Sequence, residues 1–422
     1  MRSSLHRTAK LRVAGLAWAL LVVAAGCGGG SDESGAPALK WYVFKEPSGA
    51  YDDAAARCTE AAGGRYRIEL VDLPSSADQQ REQLVRRLAA RDSDIDIMGM
   101  DVIWTAEFAR AGWLLPWEGG AASRAAEGTI PATVQTGTYQ DRLWAAPYTT
   151  NTQLLWYRKD RVPEPPQTWD QMIEMAERIG PDGKIQVQGA RYEGLTVWFN
   201  SLLASARGQV LDENDDEVSL DPQATTRALE VMRRLADSPA ADPTLSTTME
   251  DQARLAFETG GSSFMVNYSF VWPSAQENAP DIADNMGWAR FPRVLPDEPS
   301  HVTLGGINLG VGAYSKHPAE AFDAAACLRS PDNQVIAAEK GGLAPTALAL
   351  YDDPRILAAF PFADLLRESL LDGAPRPQHP AYNDISLAVQ RSVHPPRSIN
   401  PARTASSLAA KIRDVLESGG LL

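Results

Sequence analysis

The stretch "DIDIMGMDVIWTAEFARAGWL", Asp94 to Leu114, decides the fold. Asp94 to Met100 reads as a strand, and it leads directly into a helical pattern that begins at Asp101. Working outward, "LKWYVF" (Leu39 to Phe44) and "YRIELVDL" (Tyr66 to Leu73) read as two earlier strands. A helical pattern from about Tyr51 to Ala62 lies between those two. A second helix, "DQQREQLVRRLAAR", follows Ser76, and Gln79 three residues later completes a capping-box pattern. This β-α-β-α-β order predicts an α/β lobe built on parallel strand pairs. In such sheets ligands meet the carboxyl ends of strands, so Glu46 and Asp101, each just after a strand, are placed to reach one crevice.

Further along, "PEPPQTWDQMIEMAERIG" has Thr168 as N-cap, Gln171 completing a box, and Gly180 as the stop. Helix-rich sequence continues to about Gly260. "MEDQARLAFETG" puts Met249, Ala253, Ala256 and Phe257 on one face, as a core-facing helix should. It feeds "FMVNYSFVWP" (Phe264 to Pro273), a strand from Ser263 to Val266 that ends in Asn267, Tyr268, Phe270 and Trp272. "VTLGGINLGVGAY" (Val302 to Tyr314) is again a strand, and from Pro318 onward the chain reads as helical. Strand-rich sequence that returns after a helical excursion implies that the chain crosses between two lobes more than once. Several crossings make a hinge, and a hinge makes a cleft that can close.

At 422 residues the chain exceeds the size at which one core stops growing, which also favours two domains. The formal charge is −14. Residues 1–26 hold four Lys/Arg and no acids, so without them 36 basic residues face 54 acidic ones, a charge of −18. That surface repels phosphate backbones and argues against nucleic acid as a partner. The same 26 residues have a basic start and an apolar run, "VAGLAWALLVVAA", too short for a membrane span. The run ends in "AAGC" and resembles a bacterial lipoprotein signal, with Cys27 as the lipid-modified residue and 27–37 as a flexible tether. An ordinary secretory signal is the plainer alternative. Outside the cytoplasm the two remaining thiols favour one disulfide, Cys58–Cys327. No zinc-type spacing of His and Cys occurs, so neither a metal nor a cofactor is expected.

The lipoprotein start, "DIDIMGMDVIWTAEFARAGWL", "APYTTNTQLLWYRKD", "PQTWDQMIEMAERI", "FETGGSSFMVNYSFVWP" and "GGLAPT", in that order, resemble the family 1 extracellular solute-binding proteins of ABC importers. That group contains maltose- and trehalose-binding proteins, and the narrower likeness is to trehalose-binding lipoproteins of the mycobacterial type. The resemblance implies a two-lobe clamp of type II, with the ligand cleft between lobes. It implies an N-lobe of 38–147 plus 272–313 and a C-lobe of 148–271 plus 314–422. It also implies a monomer that delivers a disaccharide, trehalose first and maltose or another α-glucoside second, to permease subunits served by an ATPase. No enzyme activity is expected.

A sugar needs rim acceptors and donors at fixed angles and aromatic faces for its C–H patches. Asp101 aligns with a ligand position of the family, and the plainer alternative is that it caps the helix that follows. Asn151 lies where the family chain first crosses between lobes. Glu46 is a loop acid or a ligand contact. Glu193, with Gly194, falls near a cleft-lining segment of relatives, and Arg376, held between prolines in "APRPQHPAYND", is a candidate fork for two sugar oxygens. Gly341, Gly342 and Leu343 would let backbone approach a ligand or would end a helix. Asn267 could meet a hydroxyl, and Tyr268, Trp272 or Phe270 a sugar face. Trp198 is a stacking platform on the second lobe or, by the preferred reading, helix core, and Glu258 reads as a solvated acid at a helix end. A glycosidase, which needs two carboxylates flanking the scissile bond, is the rival class, with a sugar sensor as a third reading.

Overall fold

A computed structural model describes residues 35–418, so the leader and Cys27 lie outside the described residues. Residues 36–418 form one compact unit. Its larger sheet has seven strands. Ala344–Pro345, Ala145–Asn151, Gly305–Gly312, Ile97–Asp101, Ala38–Phe44 and Arg67–Leu73 lie side by side in that order, and Leu114–Leu115 joins Gly305–Gly312. Ala38–Phe44 pairs in parallel with both Arg67–Leu73 and Ile97–Asp101, as the β-α-β-α-β reading requires. Side chains alternate across this sheet. Leu39, Trp41 and Val43 join a core with Cys58 and Ala321, while Tyr42, Met98 and Met100 join Trp104 and Phe108 on the other face.

The smaller sheet runs Met286–Ala289, Leu154–Arg158, Phe264–Asn267, Ile185–Gln186. The same alternation divides it. Leu155, Tyr157, Phe264 and Val266 face a core around Trp169, Trp198 and Phe199, and Leu154, Trp156 and Met265 face Phe257, Tyr351 and Phe362. Trp198 is fully buried, as the sequence suggests.

Local signals hold in part. The Thr168 hydroxyl accepts from the Gln171 amide at 3.1 Å, but the Gln171 side chain turns to the Gln167 amide at 2.8 Å rather than closing the box. The helix Ala77–Ala89 starts after Ser76 without a side-chain cap. Cys58 and Cys327 are joined by a disulfide that ties the helix Ala50–Ala61 to Pro318–Leu328.

Strand pairing draws the lobes differently from the expected boundaries. Ala145–Asn151 lies wholly in the larger sheet, so the first crossing comes at 152–153. Met286–Ala289 pairs antiparallel with Leu154–Arg158 and therefore stays in the smaller sheet. Ala344–Pro345 pairs with Ala145–Asn151, and the helices just before it pack on Ala50–Ala61. We propose lobes of 36–151 plus 305–345 and of 154–289 plus 346–418. Among the described residues no helix is long and apolar enough to cross a membrane.

Candidate functional site

Asp101 is the last residue of its strand, and its carboxylate does two jobs. It accepts from the Ile103 amide at 3.2 Å, capping the turn Val102–Trp104, and from Arg376 Nη2 at 3.3 Å. The capping reading therefore holds, and the same carboxylate also reaches across to Arg376. Arg376 is 4% exposed and comes from an irregular loop of the second lobe. Its Nη1 donates to Glu193 Oε1 at 2.7 Å, and Nη2 also reaches the Leu304 carbonyl at 3.4 Å. Burial works against this charge, yet Asp101, Tyr382 and Glu193 together hold its pKa above the ordinary arginine value.

Glu193 opens the helix Glu193–Ser205, where the amide dipoles favour a carboxylate. It also accepts from the Tyr382 hydroxyl at 2.7 Å and from the Ser386 hydroxyl. Burial pushes its carboxyl up, and Arg376 and Ser386 pull it back. With three side-chain donors already placed, Glu193 holds Arg376 in position.

Around this junction lie the candidate Tyr268 and two acids that the sequence reading missed, Asp78 and Glu250. Asp78, in the first turn of Ala77–Ala89, sits beside the Glu193 backbone amide, its carboxyl raised by burial and by Asp101. Glu250 is raised by burial and is steadied by the Tyr192 hydroxyl. The Tyr268 phenol is raised by burial, with Glu250 and Asp101 adding and Arg376 opposing. Asp78 had a signal, since its helix follows the carboxyl end of Arg67–Leu73, the rule that singles out Glu46 and Asp101. Glu250, Tyr382 and Ser386 had none.

The other sequence candidates divide. The Glu46 carboxylate accepts from the Ser48 amide at 3.0 Å, the Ser48 hydroxyl at 2.6 Å and the Ala50 amide at 3.1 Å, at the start of Ala50–Ala61. Gly341 abuts it, for a Cβ there would sit 3.0 Å from Glu46 Oε1. Gly342 ends a helix with φ +63, and a Cβ on it would lie 2.7 Å from Phe270 Cα. Its carbonyl accepts from the Ser269 hydroxyl at 2.7 Å, so the Gly341–Leu343 loop and the "FMVNYSFVWP" turn form one corner. Strand Phe264–Asn267 gives way there to the helix Val271–Asn278, which takes Trp272 and Pro273 into its first turn. Trp272 is half-buried, edge-on to Trp288 at 5.5 Å and to Phe362 at 6.3 Å.

Three expectations need correction. Asn267 is fully buried, donates to the Glu250 carbonyl at 3.0 Å and accepts from the Tyr268 amide at 2.9 Å, because the strand does not stop until after it. Its carboxamide is thus committed to the fold. Glu258 is not solvated: its side chain is 6% exposed, paired with Arg254 at 2.6 Å and accepting from Ser274 at 2.7 Å. Glu193 faces its own network. Asn151, at the lobe crossing, lies over Gly305, where a Cβ would come within 2.3 Å of its Oδ1. A cavity of about 470 Å³ adjoins Arg376, lined also by Asn200, Arg207, Asp215, His301 and Gln378. Among the described residues no group of three or more His, Cys, Asp or Glu is arranged to hold a metal ion.

Residues 46–335 match the family of bacterial extracellular solute-binding proteins. A relative in Deinococcus radiodurans, a probable ABC transporter-binding protein, is 28% identical over 343 residues, 78% of this chain and 81% of the relative. Among solved structures, maltose-bound MalE3 of T. maritima superimposes with a TM-score of 0.82 at 29% identity, over 90% of this chain and 100% of the other. The GacH receptor of Streptomyces glaucescens, solved unliganded and with acarbose, gives 0.80 at 21% identity over 90% and 99%, a likeness of fold. Two sheets joined by repeated crossings, in a chain that overlays these proteins end to end, make the α/β two-lobe clamp of type II. The chain belongs to the bacterial extracellular solute-binding proteins, family 1 of the solute-binding components of ABC transporters.

Proposed function

We propose that the chain is the sugar-capturing subunit of an ABC importer, tethered outside the cytoplasmic membrane by lipid on Cys27, and that its ligand is a disaccharide, trehalose first. The observation that carries this reading is the junction at which Asp101 of one lobe meets Arg376 and, through it, Glu193 of the other. A group that touches both lobes favours the closed state, and differential affinity for that state drives closure. Asp101, Arg376 and Tyr268 form the centre of the proposed site. Asn151, Trp272 and Glu46 with Gly341, Gly342 and Leu343 form its margin, and Glu193 and Asn267 support it from behind. Carboxylates and the guanidinium fork answer sugar hydroxyls, and the aromatic corner answers a ring face.

Maltose or another α-glucoside is the second reading, favoured by the maltose-bound relative at 29% identity. Hydrolysis is disfavoured because the chain belongs to a family of solute-binding proteins, and of the acids at the junction Glu193 is committed to Arg376, Tyr382 and Ser386. Monomeric protein would then dock on two permease subunits, with an ATPase driving release. Titration calorimetry over a panel of disaccharides tests the proposal. Saturable heat with trehalose, and weaker or no heat with maltose, is expected. Heat with maltose alone would replace the first ligand with the second, and silence across the panel would reject both.

A further inference from the structure

Arg376 sits in "APRPQ", Ala374 to Gln378, and this spacing restricts how its loop can be held. Pro375 and Pro377 have no N–H, so the flanking anchor amides are those of Ala374 and Gln378. Both are used. The Ala374 amide donates to the Val302 carbonyl at 2.9 Å, and its own carbonyl accepts from Leu304 at 3.0 Å. The Gln378 amide donates to Asp215 Oδ2 at 2.9 Å, while the Gln378 side chain donates to the Arg376 carbonyl at 3.2 Å. Arg376 is thus slung between two tethers, two residues to either side.

Asp215 belongs to a separate strap. Residues 207–219 double back on themselves, with Ser219 donating to the Val210 carbonyl and Asp212 to the Glu217 carbonyl, both at 2.9 Å. The Asp212 carboxylate accepts from the Asp216 amide at 2.9 Å and from the Glu217 amide at 3.0 Å, which closes the tip. Asp215 itself holds φ +59, a left-handed conformation that aspartate tolerates better than most residues. Its carboxylate is 163 positions from Gln378 in sequence, so this contact is tertiary and not a consequence of local turn geometry.

We infer that Asp215 is a positioning residue for the proposed ligand site: the strap fixes the Gln378 end of the loop and so sets where the Arg376 fork stands. This rests on the reading of Arg376 as a ligand contact.

The test is a double-mutant cycle in the full chain, with trehalose and maltose as calorimetric probes. D215G removes the carboxylate while suiting the left-handed backbone, so the strap keeps its turn. D215N keeps an acceptor. We expect D215G to weaken binding about 3- to 10-fold, the effect of one lost hydrogen bond, D215N to stay within about twofold of the parent, and D215G to add nothing in an R376A background. Parent-like binding by D215G, equal loss in D215N, or an equal penalty in the R376A background would each overturn the inference. If R376A itself binds like the parent, the site proposal fails instead. Amide exchange supplies a ligand-independent readout, with faster exchange at Gln378 in D215G and unchanged protection counting against the strap.

Discussion

Two acids leave the larger sheet at the ends of neighbouring strands, and their fates differ. Glu46, two residues beyond Ala38–Phe44, turns back to its own chain and gathers three donors from Ser48 and Ala50. Asp101, at the end of Ile97–Asp101, finds one local amide and gives one further contact to Arg376 in the other lobe. A carboxylate has about four lone-pair sites. Where a helix start supplies most of them, the acid is satisfied at home; where it supplies one, the acid remains available across the cleft. Position at a strand end gives access, and local donors decide whether access is used.

The sharpest way to break this comparison is at its shared partner. R376A leaves Glu193 buried without its cation and Asp101 without its cross-lobe contact. Loss of about 3–5 kcal/mol in urea unfolding is expected, with R376K intermediate because it keeps charge and loses the fork. A loss below 1 kcal/mol would show that Arg376 organises nothing. Next, D101A should weaken disaccharide binding by about 1–3 kcal/mol in calorimetry, with a smaller change in melting temperature.

E46A should invert that pattern. The helix Ala50–Ala61 loses its side-chain acceptor, for about 1 kcal/mol of stability, while affinity falls less than in D101A. Equal affinity losses in the two variants would erase the distinction. The smallest effect concerns pH. Burial raises the Glu250 carboxyl, so its protonated form is favoured in the fold. Its contribution is therefore present below the ordinary glutamate range and is lost as pH rises through the raised value. E250Q should flatten that decline in melting temperature; an unchanged profile would place the titration elsewhere.

Much of this was legible in the sequence because it is local. Strand and helix periods gave the β-α-β-α-β order, and the cysteine count gave the Cys58–Cys327 bridge. Asp101 was singled out by strand-end position, and its cross-lobe contact lies there. What stayed hidden depends on contacts made far along the chain. Arg376 meets Glu193 across 183 positions and Asp101 across 275, and no spacing rule reaches that far. Asn267 looked available because the strand was expected to stop at Val266, and one further residue of pairing buried it. Lobe boundaries slipped for a related reason. A four-residue strand such as Met286–Ala289 carries too little pattern to show which sheet it joins.

The central claim is that Asp101 and Arg376 clasp one sugar between the lobes. The most direct measurement is side-by-side calorimetric titration of the parent and D101A with trehalose and with maltose. The account predicts saturable one-site heat in the parent for at least one of the two sugars, and markedly weaker binding of that sugar by D101A. Undiminished affinity in D101A, or no heat from either sugar with the parent, would contradict it.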